Sequence, residues 1–263
     1  MISAPKLRKI ARERELSLDL IEKDYALGWI LIGVSSSGLS DKIIFKGGTA
    51  LSKVHFPSGW RLSEDLDFTL SEHAALEDVG RLLVELPDIV GKASDGLVLS
   101  FKEKPFINPG FLRVRAQYEG PITKSMFKIE VSKEAFVGDF ERVKVPPTYD
   151  YPEFNTLVYT LNNILAEKLR AIIERGVVRD YYDAWKLLKT EKVDLVRTLA
   201  LFMKKCEGKG VEFLGVEQFF PDGLEKTLEP YVKSTLTRLC PEPLPPLSEI
   251  IGELKTSLTE TFE

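Results

Sequence analysis

The sequence predicts an α+β fold: a small mixed sheet preceded by N-terminal helices and followed by a C-terminal helical domain. Three observations carry that prediction. Apolar residues recur at helical spacing before residue 35 and again after about residue 155, with strand-like segments between them. Residues 65–70 (DLDFTL) and 127–131 (FKIEV) alternate strictly between polar and apolar. A buried-strand pattern at 42–45 (KIIF) runs straight into Gly47-Gly48 and a short helix, a strand–turn–helix junction.

Taken in order, residues 4–14 read as a short basic helix, and Ser17 as the N-cap of a second, with Leu20, Ile21, Leu27, Ile30 and Leu31 along it. Strand 42–45, a helix from Thr49 to about His55 and strand 65–70 follow. An amphipathic helix is predicted over 74–86. The stretch 97–131 is strand-rich, and Pro146-Pro147 reads as a linker. A long helix is predicted over 155–175, closed by Gly176, with another from about Val178 and a last one after Pro241–Pro246. The expected division is 1–150, a core with N-terminal helices, and 151–263, a helical domain.

Composition removes several function classes. A net charge of -4 gives no global attraction to nucleic acid or anionic membrane. Two histidines, His55 and His73, argue against a His-rich metal site or a His-based triad. Cys206 and Cys240 lack metal-ligand spacing and read as packing residues of a reducing compartment. The N-terminal residues lack the apolar stretch of a signal peptide, and Ala26–Val34 is too short to span a bilayer. A cytoplasmic protein is expected.

The chemistry-bearing residues lie in the alternating segments. Asp65 and Asp67, at i and i+2 of one strand, share a face about 7 Å apart at Cα. Leu66, Phe68 and Leu70 point the other way. Two such carboxylates repel unless solvated or bridged, and Mg²⁺ (alternatively Mn²⁺) is the usual bridge when phosphates also bind. Glu130, on the 127–131 strand, would add a third carboxylate if its strand lay nearby. Gly47 and Gly48 let a main chain approach phosphate closely, and Thr49 could add a hydroxyl. Each signal alone has a plain structural reading: a tight turn, a charged strand face, a solvated glutamate. Their order along the chain favours a joint one.

GGTALSK (47–53) followed by RLSEDLDF (61–68) resembles the nucleotidyltransferase superfamily of the DNA polymerase β type, and more specifically the AbiEii toxin family. IEKDYALGWIL (21–31) resembles that family's N-terminal helix, and LAEKLRAIIERGVVRDYYDAW (165–185) its C-terminal signature. The likeness covers about residues 20–190. It implies a polymerase β-like core transferring a nucleoside monophosphate (NMP) from a nucleoside triphosphate (NTP), with glycines cradling the triphosphate and three carboxylates, here Asp65, Asp67 and Glu130, holding two divalent metals. It points to Lys168 as a triphosphate contact and Asp180 as a further active-site acid. Lys53, Ser63 and Arg175 are added as candidate nucleotide contacts, and Asp183 is held open between a site role and orienting its helix pair. The resemblance further implies a toxin of a toxin–antitoxin pair, with the tRNA 3′ end as acceptor and a cognate antitoxin as partner. Glu130 stands where Asp is frequent in such enzymes. Arg113 and Arg115 could touch an RNA acceptor or form a solvated face, and Trp60 and Tyr182 could stack on a base or pack. The alternatives are transfer to a protein or small-molecule hydroxyl, and a non-catalytic nucleotide-binding module.

Overall fold

The computed structural model describes residues 1–262. It divides into two compact units, 1–134 with 140–158, and 135–139 with 159–263. Among the described residues no helix is long and apolar enough to cross a membrane.

The first unit opens with α1 (Ala4–Glu13) and α2 (Leu18–Ser35). α2 is buried nearly all round, so its charged residues need internal partners. Glu22 is fully buried and accepts the main-chain N–H groups of Ile122 and Thr123, both at 2.7 Å. Asp24 lies 2.8 Å from the Lys53 ammonium and accepts the Tyr149 hydroxyl at 2.9 Å. The polar residues of the IEKDY segment thus anchor a distant turn and a distant lysine.

β1 (Ile43–Lys46) leads into α3 (Gly47–Ala50), which continues as a wider π turn over Leu51–His55. β2 (Leu66–Leu70) follows, then α4 (Leu76–Leu83) and α5 (Leu86–Ser94). The helix expected over 74–86 is therefore two, broken at 84–85 ahead of Pro87, which is accommodated in the first turn of α5. β3 (Val98–Phe101), β4 (Phe106–Asn108), β5 (Phe111–Glu119), β6 (Lys124–Ser132), β7 (Phe140–Lys144) and β8 (Asn155–Tyr159) complete the strands.

Among the described residues the sheet has eight strands, in the order β3-β5-β6-β2-β1-β8-β7, with β4 also on β5. It is mixed as expected: β2 runs antiparallel to β1 and parallel to β6, and β1 parallel to β8. It is larger than expected because β7 and β8 extend it beyond β1. Residues 155–159 are a strand, not the first turn of the long helix. NTLVY is rich in β-branched and aromatic side chains, and Val158 pairs with Phe45. Pro146-Pro147 falls in the connection between β7 and β8, within the first unit. One sheet face is apolar: Leu66, Phe68, Val114, Ile129 and Val131 are each at most 1% exposed.

In the second unit, α6 (Leu161–Arg175) starts at Thr160, whose side chain accepts the Asn163 N–H. It ends at Gly176 in the left-handed region, φ 52°, where glycine avoids the Cβ clash. α7 (Val178–Leu188), α8 (Leu195–Lys209), α9 (Leu224–Tyr231) and α10 (Leu247–Phe262) follow. The 135–139 segment is tied down by Asn163, which donates to the carbonyls of Val137 and Asp139 at 3.0 and 2.9 Å. Among the described residues Cys206 and Cys240 are buried and form no disulfide, and burial pushes the Cys206 pKa up to about 11.

Candidate active site

The register of the sheet brings together residues distant in sequence. Lys46 on β1 stands opposite Asp67 on β2, Asp67 opposite Glu130 on β6, and Glu130 opposite Arg113 on β5. Paired positions share a sheet face, so Asp67 and Glu130 project side by side, both half-buried. Asp65 sits just before β2. Its carboxylate accepts the main-chain N–H of Lys128 at 2.8 Å, filling the ladder position where β2 has not yet begun, and lies 3.4 Å from the Lys128 ammonium. Glu130 accepts Arg113 Nε at 2.6 Å.

The glycine pair is fitted to this face. Gly47 has φ +76°, and a Cβ there would lie 2.8 Å from Asp67 Oδ2. A Cβ on Gly48 would lie 2.7 Å from the Arg61 guanidinium. The turn thus passes one carboxylate and one buried cation at distances no side chain allows. Thr49 is fully buried and donates its hydroxyl to the Asp65 carbonyl, so it positions the acidic strand. Gly47→Ala is expected to destabilise the first unit by about 1–2 kcal/mol, read as a lower urea midpoint. Gly110→Ala, whose added Cβ meets its nearest neighbour at 3.6 Å and whose φ is not positive, should stay close to wild type.

Lys53 is placed differently from its expected role. It is 3% exposed and directed at Asp24, donating also to the Asp24 carbonyl at 2.7 Å. Burial lowers its pKa, and Asp24 opposes that shift. Ser63 is buried in the approach to β2. Trp60 is stacked on Phe56, ring centroids 4.6 Å apart, and Tyr182 packs on Trp185 in the second unit. Both are buried, which supports the packing reading.

The donor set of Asp65, Asp67 and Glu130 is all oxygen, which suits a hard divalent cation. Among the described residues no three His, Cys, Asp or Glu side chains are gathered closely enough to hold an ion as they stand. Asp67 and Glu130 are neighbours, whereas Asp65 is drawn to the Lys128 N–H. Asp67 and Glu130 thus stand as a carboxylate pair on adjacent strands, with Asp65 at the end of the same face.

In the second unit, Lys168 projects from α6 with its ammonium 2.8 Å from both Asp180 and Asp183 of α7. Arg175 closes the Gly176 turn by donating to both Asp180 oxygens, at 2.9 and 3.2 Å. Burial would raise the Asp180 pKa, but Lys168 and Arg175 outweigh it and hold the carboxyl at about 2. Asp183, fully buried, is an equal partner of Lys168. Its i,i+3 spacing from Asp180 was the sequence signal for that role.

Solved structures with this architecture include MenT4, a nucleotidyltransferase toxin from Mycobacterium tuberculosis. It is 17% identical with a TM-score of 0.79, over 99% of this chain and 90% of that one. JHP933 from Helicobacter pylori is 19% identical with a TM-score of 0.56, over 94% of this chain and 93% of that one. At these identities the likeness is one of fold. No curated protein matches the chain in sequence. The family model described as nucleotidyl transferase AbiEii toxin, type IV toxin–antitoxin system, matches residues 29–249. That span takes in the glycine turn, all three carboxylates and the Lys168–Asp180–Asp183 cluster, and the chain belongs to the AbiEii family of nucleotidyltransferase toxins.

Proposed function

We propose that the protein transfers an NMP from an NTP to an acceptor hydroxyl with the help of Mg²⁺ or Mn²⁺, and that the acceptor is the 3′ end of tRNA. The observation that carries the metal reading is the pairing of Asp67 with Glu130 on adjacent strands, beside a glycine turn built around the Asp67 carboxylate. Asp65, Asp67 and Glu130 would hold the metal, which when bound neutralises phosphate charge and favours an ionised acceptor hydroxyl. The main-chain N–H groups of Gly47 and Gly48 would receive triphosphate oxygens. Thr49 and Arg61 hold that turn and strand in place. Ser63 stays a candidate nucleotide contact at the approach to β2. Lys53, committed to Asp24, is assigned to positioning α2 against the turn. In the second unit, Lys168 is the proposed triphosphate contact, its ammonium fixed by Asp180 and Asp183, with Arg175 positioning Asp180. The chain's contribution is positioning and charge stabilisation, with no covalent intermediate.

Membership of a type IV toxin–antitoxin family gives the protein a cognate antitoxin as partner. The cytoplasm, where NTPs and tRNA meet, is the proposed site of action. The test is incubation of the purified protein with Mg²⁺, each α-³²P NTP in turn, and total tRNA or a tRNA-free lysate. Label on tRNA that disappears when the 3′ diol is first oxidised with periodate is the expected result. Label confined to protein or to small molecules would keep the transferase and overturn the tRNA assignment.

A further inference from the structure

The sheet face that carries the carboxylates continues past them, and its continuation is basic and exposed. Arg115 stands opposite Lys128, which binds Asp65, and Arg113 stands opposite Glu130. At the edge, β4 sets Phe106 opposite Arg113. All four side chains share one face, because paired positions do. Phe106 is 58% exposed and Arg113 46%, although β5 buries its other face at Leu112 and Val114. Arg113 lies over the Phe111 ring at 4.9 Å, and Phe106 packs on Phe111. Among the described residues Arg115 makes no ion pair, so none of their carboxylates holds its charge. Three cations and an exposed ring on an open sheet face, inside a protein of net charge -4, form a local feature with no role in the core.

We propose that Arg113, Arg115, Lys128 and Phe106 form a seat for a single-stranded polynucleotide, the strand that presents the acceptor hydroxyl to the carboxylates. This rests on the proposed transfer to a nucleic-acid acceptor. The chemistry suits that occupant: guanidinium and ammonium groups track phosphates, and an exposed ring offers a stacking surface tolerant of sequence. The seat is continuous with the carboxylates, since Arg113 and Lys128 each touch one of them. A strand lying across β5 and β6 would therefore end beside Asp65, Asp67 and Glu130.

The experiment is fluorescence anisotropy of a labelled single-stranded RNA oligonucleotide against the full chain. Wild type, Arg115→Glu, Phe106→Ala, Asp67→Asn and Lys144→Glu are compared. Lys144 is an exposed cation on β7, at the far edge of the sheet, and serves as the charge-matched control. Arg115→Glu is expected to weaken binding about tenfold or more, and the milder Arg115→Gln to flatten the log-affinity against log-salt slope by about 0.7, one phosphate contact on a single strand. Phe106→Ala should weaken binding without changing that slope. Asp67→Asn should bind RNA as wild type does while failing to transfer, which separates the seat from the chemistry. Equal losses in Arg115→Glu and Lys144→Glu, no loss in Arg115→Glu, or a wild type that modifies protein but binds no RNA would each overturn the seat. In all three cases the transferase reading stands, and in the third the tRNA assignment falls with the seat.

Discussion

Asp67→Asn is expected to lower nucleotidyl transfer by about 10³-fold, equivalent to about 4 kcal/mol of transition-state stabilisation, and to leave the thermal midpoint within a few degrees of wild type. The substitution is isosteric, so the close packing of residue 67 against Gly47 survives. What is lost is the negative charge between Lys46 and Glu130 in the row across β1, β2 and β6. A carboxylate whose only role was to solvate a strand face would cost little when neutralised, because exposed charges contribute about 1 kcal/mol or less. Initial rates with α-³²P NTP at saturating Mg²⁺ give the comparison, and a variant retaining more than about a tenth of the rate would remove Asp67 from the metal set. Growth arrest on expression should follow the same pattern, present for wild type and absent for the variant.

The second large effect is on stability. Lys168→Met leaves Asp180 and Asp183, with side chains 1% and 0% exposed, without the ammonium that both share. Removing one partner of a buried pair typically costs about 3–5 kcal/mol, and here one substitution strips two carboxylates. Asp180 keeps Arg175. The expected result is a urea midpoint well below wild type at pH 7. The pH dependence has a definite sign. In wild type the Asp180 pKa is depressed from 3.8 to about 2, so its ionised form stabilises the folded state. That contribution, about 2 kcal/mol by linkage, is complete above pH 3.8 and is lost as the pH falls toward 2. In Lys168→Met burial acts with less opposition, the Asp180 pKa rises from about 2, and the fall in stability between pH 3.8 and 2 should be shallower than in wild type. Urea melts across that range distinguish the two slopes. Parallel curves for wild type and variant would contradict the buried cluster.

The parts legible in the sequence were those set by local pattern. Alternation placed Asp65 and Asp67 on the face opposite Leu66 and Phe68, and the same alternation marked Glu130. The turn residues marked the Gly47–Gly48 junction and the end of α6 at Gly176. Strand 155–159 was not legible, because Leu157 and Val158 satisfy a helical stripe as well as a strand, and only the pairing of Val158 with Phe45 decides between them. The engagement of Asp65 by Lys128 and of Glu130 by Arg113 depends on inter-strand register, which residue spacing does not encode. Lys53 followed the glycines at a spacing suited to a phosphate contact, yet its partner, Asp24, lies 29 residues earlier. Long-range pairing of this kind also explains why a helix as apolar as α2 carries Glu22 and Asp24.

The most direct measurement compares α-labelled with γ-labelled NTP, using wild type and Asp67→Asn in parallel with Mg²⁺ and total tRNA. Nucleotidyl transfer at the Asp65–Asp67–Glu130 face predicts α label on the acceptor and γ label released as pyrophosphate, with both signals lost in the variant. Transfer of the γ label to the acceptor, or α transfer undiminished by Asp67→Asn, would contradict it.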